Sequence, residues 1–313
     1  MFKFALSALL AVGALATPAC AEVPRVVASI KPVHALVAAV MGDLGVPALI
    51  VKGAASPHTY SLRPSDAAAL QAADLVFWTG HGLELFLEDA ITTLAPRAAI
   101  VELAASPGIT LLPPREGGTF EPHAHDEGDH DHEEGHDHAH EEEADMHFFL
   151  DPENAKVMVS EIVAGLSAAD PEHAATYAEN GRAQIADLEA LLEQTRARLE
   201  PLADRPFVVF HDAYQYFERR FDLAVVGSIT VSPEVTPGAD RIAEIRTRLK
   251  TLDAACVFAE PQFDPRIVEV LIEGSSARAG VLDPEGAAVP EGPRAYRELI
   301  EALAAGLIEC LSP

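Results

Sequence analysis

Short apolar runs rich in β-branched and aromatic residues alternate along this chain with longer segments whose apolar positions recur every three or four residues. In the first half the runs at 26–30, 47–51, 74–78 and 99–103 read as strands. Helical patterns at 33–41, at 64–72 with Ser65 as cap, and around 83–94 separate them. The second half repeats the order. Strands are predicted at 207–210, 223–229, 256–259 and 279–282, with helices at 212–220, 240–252, 265–274 and 293–311. Such alternation means βα units and parallel sheets covered on both faces, so the fold class is α/β with two lobes. Between the halves, Asp151-Pro152-Glu153 and Asp170-Pro171-Glu172 each offer a cap, a proline at the first helical position and an acid in the first turn. The second signal opens a long helix to about Glu200, with Ile185, Leu188, Leu192 and Leu199 along one stripe. Thirty helical residues span about 45 Å, long enough for a rigid strut. The expected plan is an N-terminal lobe over 22–169, a linker helix over 170–200 and a C-terminal lobe over 201–313. Roughly 290 residues after the leader suit two domains better than one core.

The first residues, MFKFALSALLAVGALATPACA, carry one early lysine, an apolar run and the small-x-small triplet Ala19-Cys20-Ala21. This reads as a signal peptide over 1–21, too short to anchor in a bilayer, and predicts export to the periplasm. Acylation of Cys20 is the alternative, although Thr17-Pro18-Ala19 lacks the leucine expected before a lipidated cysteine. No later stretch has the roughly twenty apolar residues of a membrane span. After cleavage only Cys256 and Cys310 remain, in a compartment that permits disulfides. One bond between them is the simplest arrangement, and two buried free thiols the other.

A formal net charge of −27 sets this surface against nucleic acid and anionic membrane, and suits a cation. The segment 121–145, EPHAHDEGDHDHEEGHDHAHEEEAD, holds twelve acids, no Lys or Arg, and seven of the thirteen histidines. They are His123, His125, His130, His132, His136, His138 and His140. Imidazole is the commonest metal ligand, and neighbouring carboxylates concentrate cations. With almost no apolar residue to offset ordering entropy, 117–145 is expected to be a flexible auxiliary metal-binding loop.

In open parallel sheets, ligands bind beyond the carboxyl ends of the strands. His58, His147, His211 and Asp283 fall at or near such ends, two from each lobe. Three imidazoles and one carboxylate in tetrahedral geometry suit Zn²⁺, whereas Mn²⁺ or Fe²⁺ normally takes more oxygen ligands. Any one histidine after a strand is more often an ordinary satisfied polar residue. His34, on the helix after Pro32, is a candidate to support a ligand, and His81 is equally available by position. His173 reads as structural. Glu260 follows a strand and could orient a ligand through its free ring nitrogen. Arg63 reads as a carboxylate partner or loop cap. Trp78, Tyr214, Tyr216 and Phe217 read as packing.

Six segments carry a resemblance: ASPHTYSLRPSD at 55–66, DLVFWTG at 74–80, FFLDPENA at 148–155, VVFHDAYQYF at 208–217, VFAEPQF at 257–263 and LDPEG at 282–286. Together they resemble the ZnuA-type substrate-binding proteins of zinc-uptake ABC transporters, over essentially the whole exported chain. The resemblance implies two (β/α)4 lobes joined by a long helix, with one metal in the cleft between them. It matches His58, His147 and His211 to the three histidine ligands, and Asp283 to the acidic position of related metal binders. Some zinc-specific members carry Glu just before the first histidine. Here that residue is Pro57, which leaves Asp283 or water for the fourth position. Related manganese binders carry Glu where this chain has His211, and the His/acid loop is typical of the zinc branch. The implied function is capture of Zn²⁺ as cargo for an ABC permease, by a monomer with no catalytic step. The rivals are a manganese or iron carrier, an adhesin or metal buffer of the same fold, and a zinc hydrolase with Glu260 as base. Against the hydrolase, no HExxH-type helix is present.

Overall fold

In the computed structural model, which describes residues 23–115, 120, 144–230, 238–251 and 254–312, each lobe is built on four parallel strands. The first comprises β1 (Val26–Ala28), α1 (Lys31–Met41), β2 (Ala48–Leu49), α2 (Pro64–Ala72), β3 (Leu75–Trp78), α3 (Leu85–Leu94) and β4 (Ala99–Glu102), in sheet order β2-β1-β3-β4. Then come α4 (Pro152–Ala169) and α5 (Ala174–Leu199). The second lobe has β5 (Phe207–His211), α6 (Gln215–Phe221), β6 (Val225–Thr230), α7 (Ala239–Thr251), β7 (Cys256–Ala259), α8 (Arg266–Ile272) and β8 (Arg278–Val281), in order β6-β5-β7-β8, closed by α9 (Ala295–Leu311). β5 shows why these strands read as unbroken apolar runs. Phe207 and Val209 enter the main core, while Val208 and Phe210 enter a second cluster under α7 and α8. Both sheets reverse direction beside their first strand, between β1 and β3 and between β5 and β7. The crevices for ligands lie there.

The 26 residues of α5 make about 39 Å of helix, with Tyr177, Leu188, Leu191, Leu192 and Leu199 buried along one side. Its approach to α4 requires Gly181, since a Cβ there would sit 2.4 Å from Val163 Cγ2. The two Asp-Pro-Glu signals behave differently. Asp151 caps α4 by accepting from the Glu153 amide at 2.9 Å. Asp170 instead bonds the His173 Nδ1 (2.7 Å) and the Tyr177 hydroxyl (2.9 Å), and one 3-10 turn, Pro171–His173, precedes α5. Pro64 takes the first position of α2, so Arg63 rather than Ser65 is its N-cap, and the Asp66 carboxylate accepts from the Arg63 amide.

Several polar contacts tie the lobes together. Arg220 of α6 pairs with Asp151 through two 2.7 Å bonds, Arg115 bridges to Asp212 and Glu218, and the Tyr296 hydroxyl donates to the Phe149 carbonyl. Lys31, at the start of α1, donates to the Gly286, Ala287 and Val289 carbonyls of the other lobe. A disulfide joins Cys256 in β7 to Cys310 in α9, with Cα atoms 6.2 Å apart. No helix among the described residues is long and apolar enough to cross a membrane. The expected signal peptide, Cys20 and the seven loop histidines lie outside the described residues.

Candidate metal centre

Three ring nitrogens converge from three different elements. His58 rides on the stretch between β2 and α2, its amide donating to Ser56 Oγ at 3.3 Å. His147 is placed by its neighbours. Asp145 forms a bridge with Leu112, and the buried 3-10 turn Phe148–Leu150 follows. His211 is the last residue of β5, and Glu260 directly follows the adjacent strand β7. The two meet where the second sheet reverses. His58 Nε2 lies 3.3 Å from His147 Nε2, which lies 3.4 Å from His211 Nε2. A tetrahedral zinc bonded at about 2.0–2.1 Å holds its nitrogens about 3.3–3.4 Å apart, so both separations fit the edges of that polyhedron.

The opposite ring nitrogens explain why the Nε2 atoms point inward. Asp145 Oδ1 sits 2.8 Å from His147 Nδ1 and also accepts from its amide at 3.0 Å. Glu260 places its two oxygens 2.7 and 2.8 Å from His211 Nδ1 and accepts from the Tyr214 hydroxyl at 3.1 Å. With Nδ1–H donated to a carboxylate, the Nε2 lone pair is left for a metal. Burial, with His147 and His211 close by, drives the His58 pKa well below the ordinary histidine range. Burial acts the same way on His211, but the Glu260 carboxylate outweighs it and raises the pKa. The cleft around the trio encloses only about 10 Å³, far below the 300–1,000 Å³ typical of organic ligands, and suits an ion.

Asp283 does not join the three histidines. Its Oδ1 accepts from Gln262 Nε2 (2.8 Å) and from the Glu285 and Gly286 amides (3.1 and 3.0 Å), and its Oδ2 accepts from the Ala287 amide (2.5 Å). An aspartate at a strand end with free amides just ahead folds back on its own turn. His34 is also apart, its Nε2 3.0 Å from the Pro47 carbonyl, and burial lowers its pKa. His81 is exposed, 3.1 Å from Glu88 and edge-on to Trp78. The Arg63 guanidinium lies over the Tyr60 ring.

Three residues at the site carry no warning in the sequence. Asp145 stands two before His147, a spacing that suits a carboxylate partner, but it closes a long acidic run and is lost in it. Tyr216 accepts from the Leu112 amide (2.7 Å) and donates to the Asp145 carbonyl (2.6 Å), holding the bridge beside His147. Glu285 lines the cleft. Its burial, with Asp283 and Glu84 nearby, pushes its carboxyl well above the usual range.

Two parallel-sheet lobes around three converging imidazoles describe a two-lobed α/β binding protein whose cleft is dimensioned for one cation. Residues 26–310 match the model of the family described as ZnuA, zinc-uptake complex component A periplasmic, and the chain belongs to that family. It is 49% identical to the high-affinity zinc uptake system protein ZnuA of Brucella suis biovar 1, across 99% of this chain and 98% of that one. To the protein of the same description from Paracoccus denitrificans it is 39% identical, across 96% of each. A crystal structure of ZnuA has the same fold, with a TM-score of 0.76 and 25% identity over 93% of this chain and 100% of that one.

Proposed function

We propose that this protein is the periplasmic zinc-binding component of an ABC uptake system, capturing Zn²⁺ between its lobes and passing it to a permease. The observation that carries the reading is the trio His58, His147 and His211, with Nε2 separations of 3.3 and 3.4 Å and two rings aimed by carboxylates. Zinc is cargo here. Glu260, which a hydrolase would need as base, has both oxygens against His211 Nδ1, which supports binding without catalysis. On this reading residues 1–21 direct export and are removed near Ala21, the protein acts as a monomer, and the loop histidines gather additional, weaker zinc.

The test is zinc titration of the exported chain, its single alanine variants at His58, His147 and His211, and a deletion of 121–143. The deletion stops short of Asp145 because that carboxylate holds His147. One tight site is expected to survive the deletion and to be lost or strongly weakened in each histidine variant. Loss of all tight binding on deletion, with intact binding in the histidine variants, would move the site to the loop.

A further inference from the structure

His147 and His211 come from different lobes, and the residues beside them meet on one helix. Asp145, which aims His147, forms a bridge with Leu112. The Tyr216 hydroxyl of α6 spans that bridge, accepting from the Leu112 amide (2.7 Å) and donating to the Asp145 carbonyl (2.6 Å). One position back on α6, Gln215 donates to the Pro113 carbonyl at 3.1 Å. Two residues further along the chain, Arg115 reaches Asp212, the residue after His211, and Glu218 on α6. Its Nε lies 2.9 Å from Asp212 Oδ2 and its Nη1 2.5 Å from Glu218 Oε2. The Phe120 ring packs against the guanidinium, 4.1 Å from its carbon. The chain on both sides of the acidic segment is thereby gripped by the second lobe.

A metal site tolerates little play, and its ligands have to be held within about 0.5 Å by neighbours that are themselves locked. His147 Nε2 and His211 Nε2 are 3.4 Å apart across the lobe boundary, so movement between the lobes changes that separation directly. The carboxylates that aim the rings do not resist it. Asp145 belongs to the same lobe as His147, and Glu260 to the same lobe as His211. Arg115, Gln215 and Tyr216 do cross the boundary beside the two ligands. The Asp212 and Glu218 side chains are only 9% and 5% exposed, so their pairing with Arg115 is poorly screened, and losing one partner strands the others. We infer that Arg115 and Tyr216 are positioning residues for zinc, holding the chain beside His147 onto α6 and so setting its distance from His211. The inference rests on the zinc-binding reading above. Neither side chain is among the three that converge on the ion.

Zinc competition with a chromophoric chelator, on the exported full-length chain at less than one zinc per chain, tests this with four single variants. Arg115→Gln and Tyr216→Phe should each weaken zinc about tenfold, the lower end of what loss of a group supporting a ligand costs. Arg297→Gln is the control. It breaks an ion pair to Asp187 that joins α9 to α5 and touches none of the three histidines, and affinity should stay unchanged. His147→Ala reports on the site itself and should lose tight binding. Cobalt(II) in place of zinc reads the geometry. The visible bands of a tetrahedral ion should be shifted or weakened in Arg115→Gln and Tyr216→Phe, and native in Arg297→Gln. Unchanged affinity and spectrum in a variant with native circular dichroism overturns the role of that residue, while loss in His147→Ala leaves the zinc reading standing. An equal loss in Arg297→Gln assigns the effect to general loosening and overturns the positioning role. Tight binding retained in His147→Ala refutes the zinc reading and this inference with it. Should Arg115→Gln fail to fold, Tyr216→Phe, which keeps the ring and its packing, decides the matter.

Discussion

Exchanging Glu260 for Gln changes one charge and little else, and its effect on zinc binding should reverse in emphasis across the pH scale. An amide oxygen can still accept from His211 Nδ1, so ring orientation is kept while the negative charge 2.7 Å away is lost. That charge makes Nε2 a better donor to a metal, and loss of such a partner typically costs 10–100-fold in affinity, about 1.4–2.7 kcal/mol. The same charge also works against zinc. It raises the His211 pKa above 6.5 despite complete burial, and an imidazolium cannot ligate. As pH falls through that raised value, protons at His211 should cost the native protein about tenfold in affinity per pH unit. His58 behaves oppositely, because burial and its two histidine neighbours keep it neutral well below the ordinary range. In Glu260→Gln only the Asp212 and Asp145 carboxylates still oppose burial, so the His211 pKa falls and proton competition moves to lower pH.

Native protein should therefore bind zinc about 10–100-fold more tightly than Glu260→Gln near pH 8, and the gap should shrink steadily toward pH 5.5. Competition with a chromophoric chelator, at less than one zinc per chain and corrected for the chelator's own protonation, reads both curves. Equal affinities at pH 8 would refute the role given to Glu260. A constant gap over the whole range would refute the coupling between that carboxylate and the His211 proton.

Three further perturbations follow from the packing and the site. Asp145→Asn should weaken zinc about tenfold without a large change in thermal melting, because Tyr216 still holds the Asp145 backbone; an unaltered affinity would remove Asp145 from the site. Gly181→Ala should destabilise the fold by about 1–3 kcal/mol in urea, since the new methyl meets Val163, and adding Val163→Ala should recover part of the loss. An unchanged midpoint would show that α4 and α5 do not approach so closely. Thiol titration of unfolded, unreduced protein should find neither Cys256 nor Cys310 free, and reduction should cost about 4 kcal/mol in the chain-entropy model for a separation of 54 residues; two reactive thiols would refute the bond.

Most of the fold is legible because buried parallel strands have to be apolar on both faces and helices on one. Boundaries drift where side chains intervene. β1 stops at Ala28, and the next residue, Ser29, donates its hydroxyl to Glu84. α3 begins at Leu85 rather than 83 because Glu84 is drawn inward by Ser29 and Thr79. The histidines are legible by position, each beside a strand end or a buried turn in the crevice. Asp283 occupies a similar position, and sequence cannot separate an aspartate that faces an ion from one that folds back onto its own amides. The difference lies in where the chain goes next. After Asp151 a helix begins and one amide is capped; after Asp283 the chain turns, and three amides converge on the carboxylate. Asp145 and Tyr216 escape notice because their partners are set by tertiary geometry, the one hidden in an acidic run and the other among aromatics that read as core.

The three histidines are held with unequal firmness, and this bears on how an ion enters and leaves. His147 and His211 are buried, and each is fixed through Nδ1 by a carboxylate that is itself engaged elsewhere. His58 is only half-buried and rides on residues 50–63, which form neither strand nor helix. Opening the whole cleft means breaking Arg220–Asp151, drawing Lys31 from its three carbonyls and parting Tyr296 from Phe149. Separating one partly buried ion pair alone costs on the order of several kcal/mol, because each charge is left unmatched. Ile50, Val51 and Tyr60 anchor the ends of the 50–63 stretch in the core, whereas residues 52–56 between them are exposed or half-exposed turns, the low-stability end of any fold. On the zinc-binding reading proposed above, exchange of the ion is expected on the His58 side, with His147 and His211 as the firmly held wall.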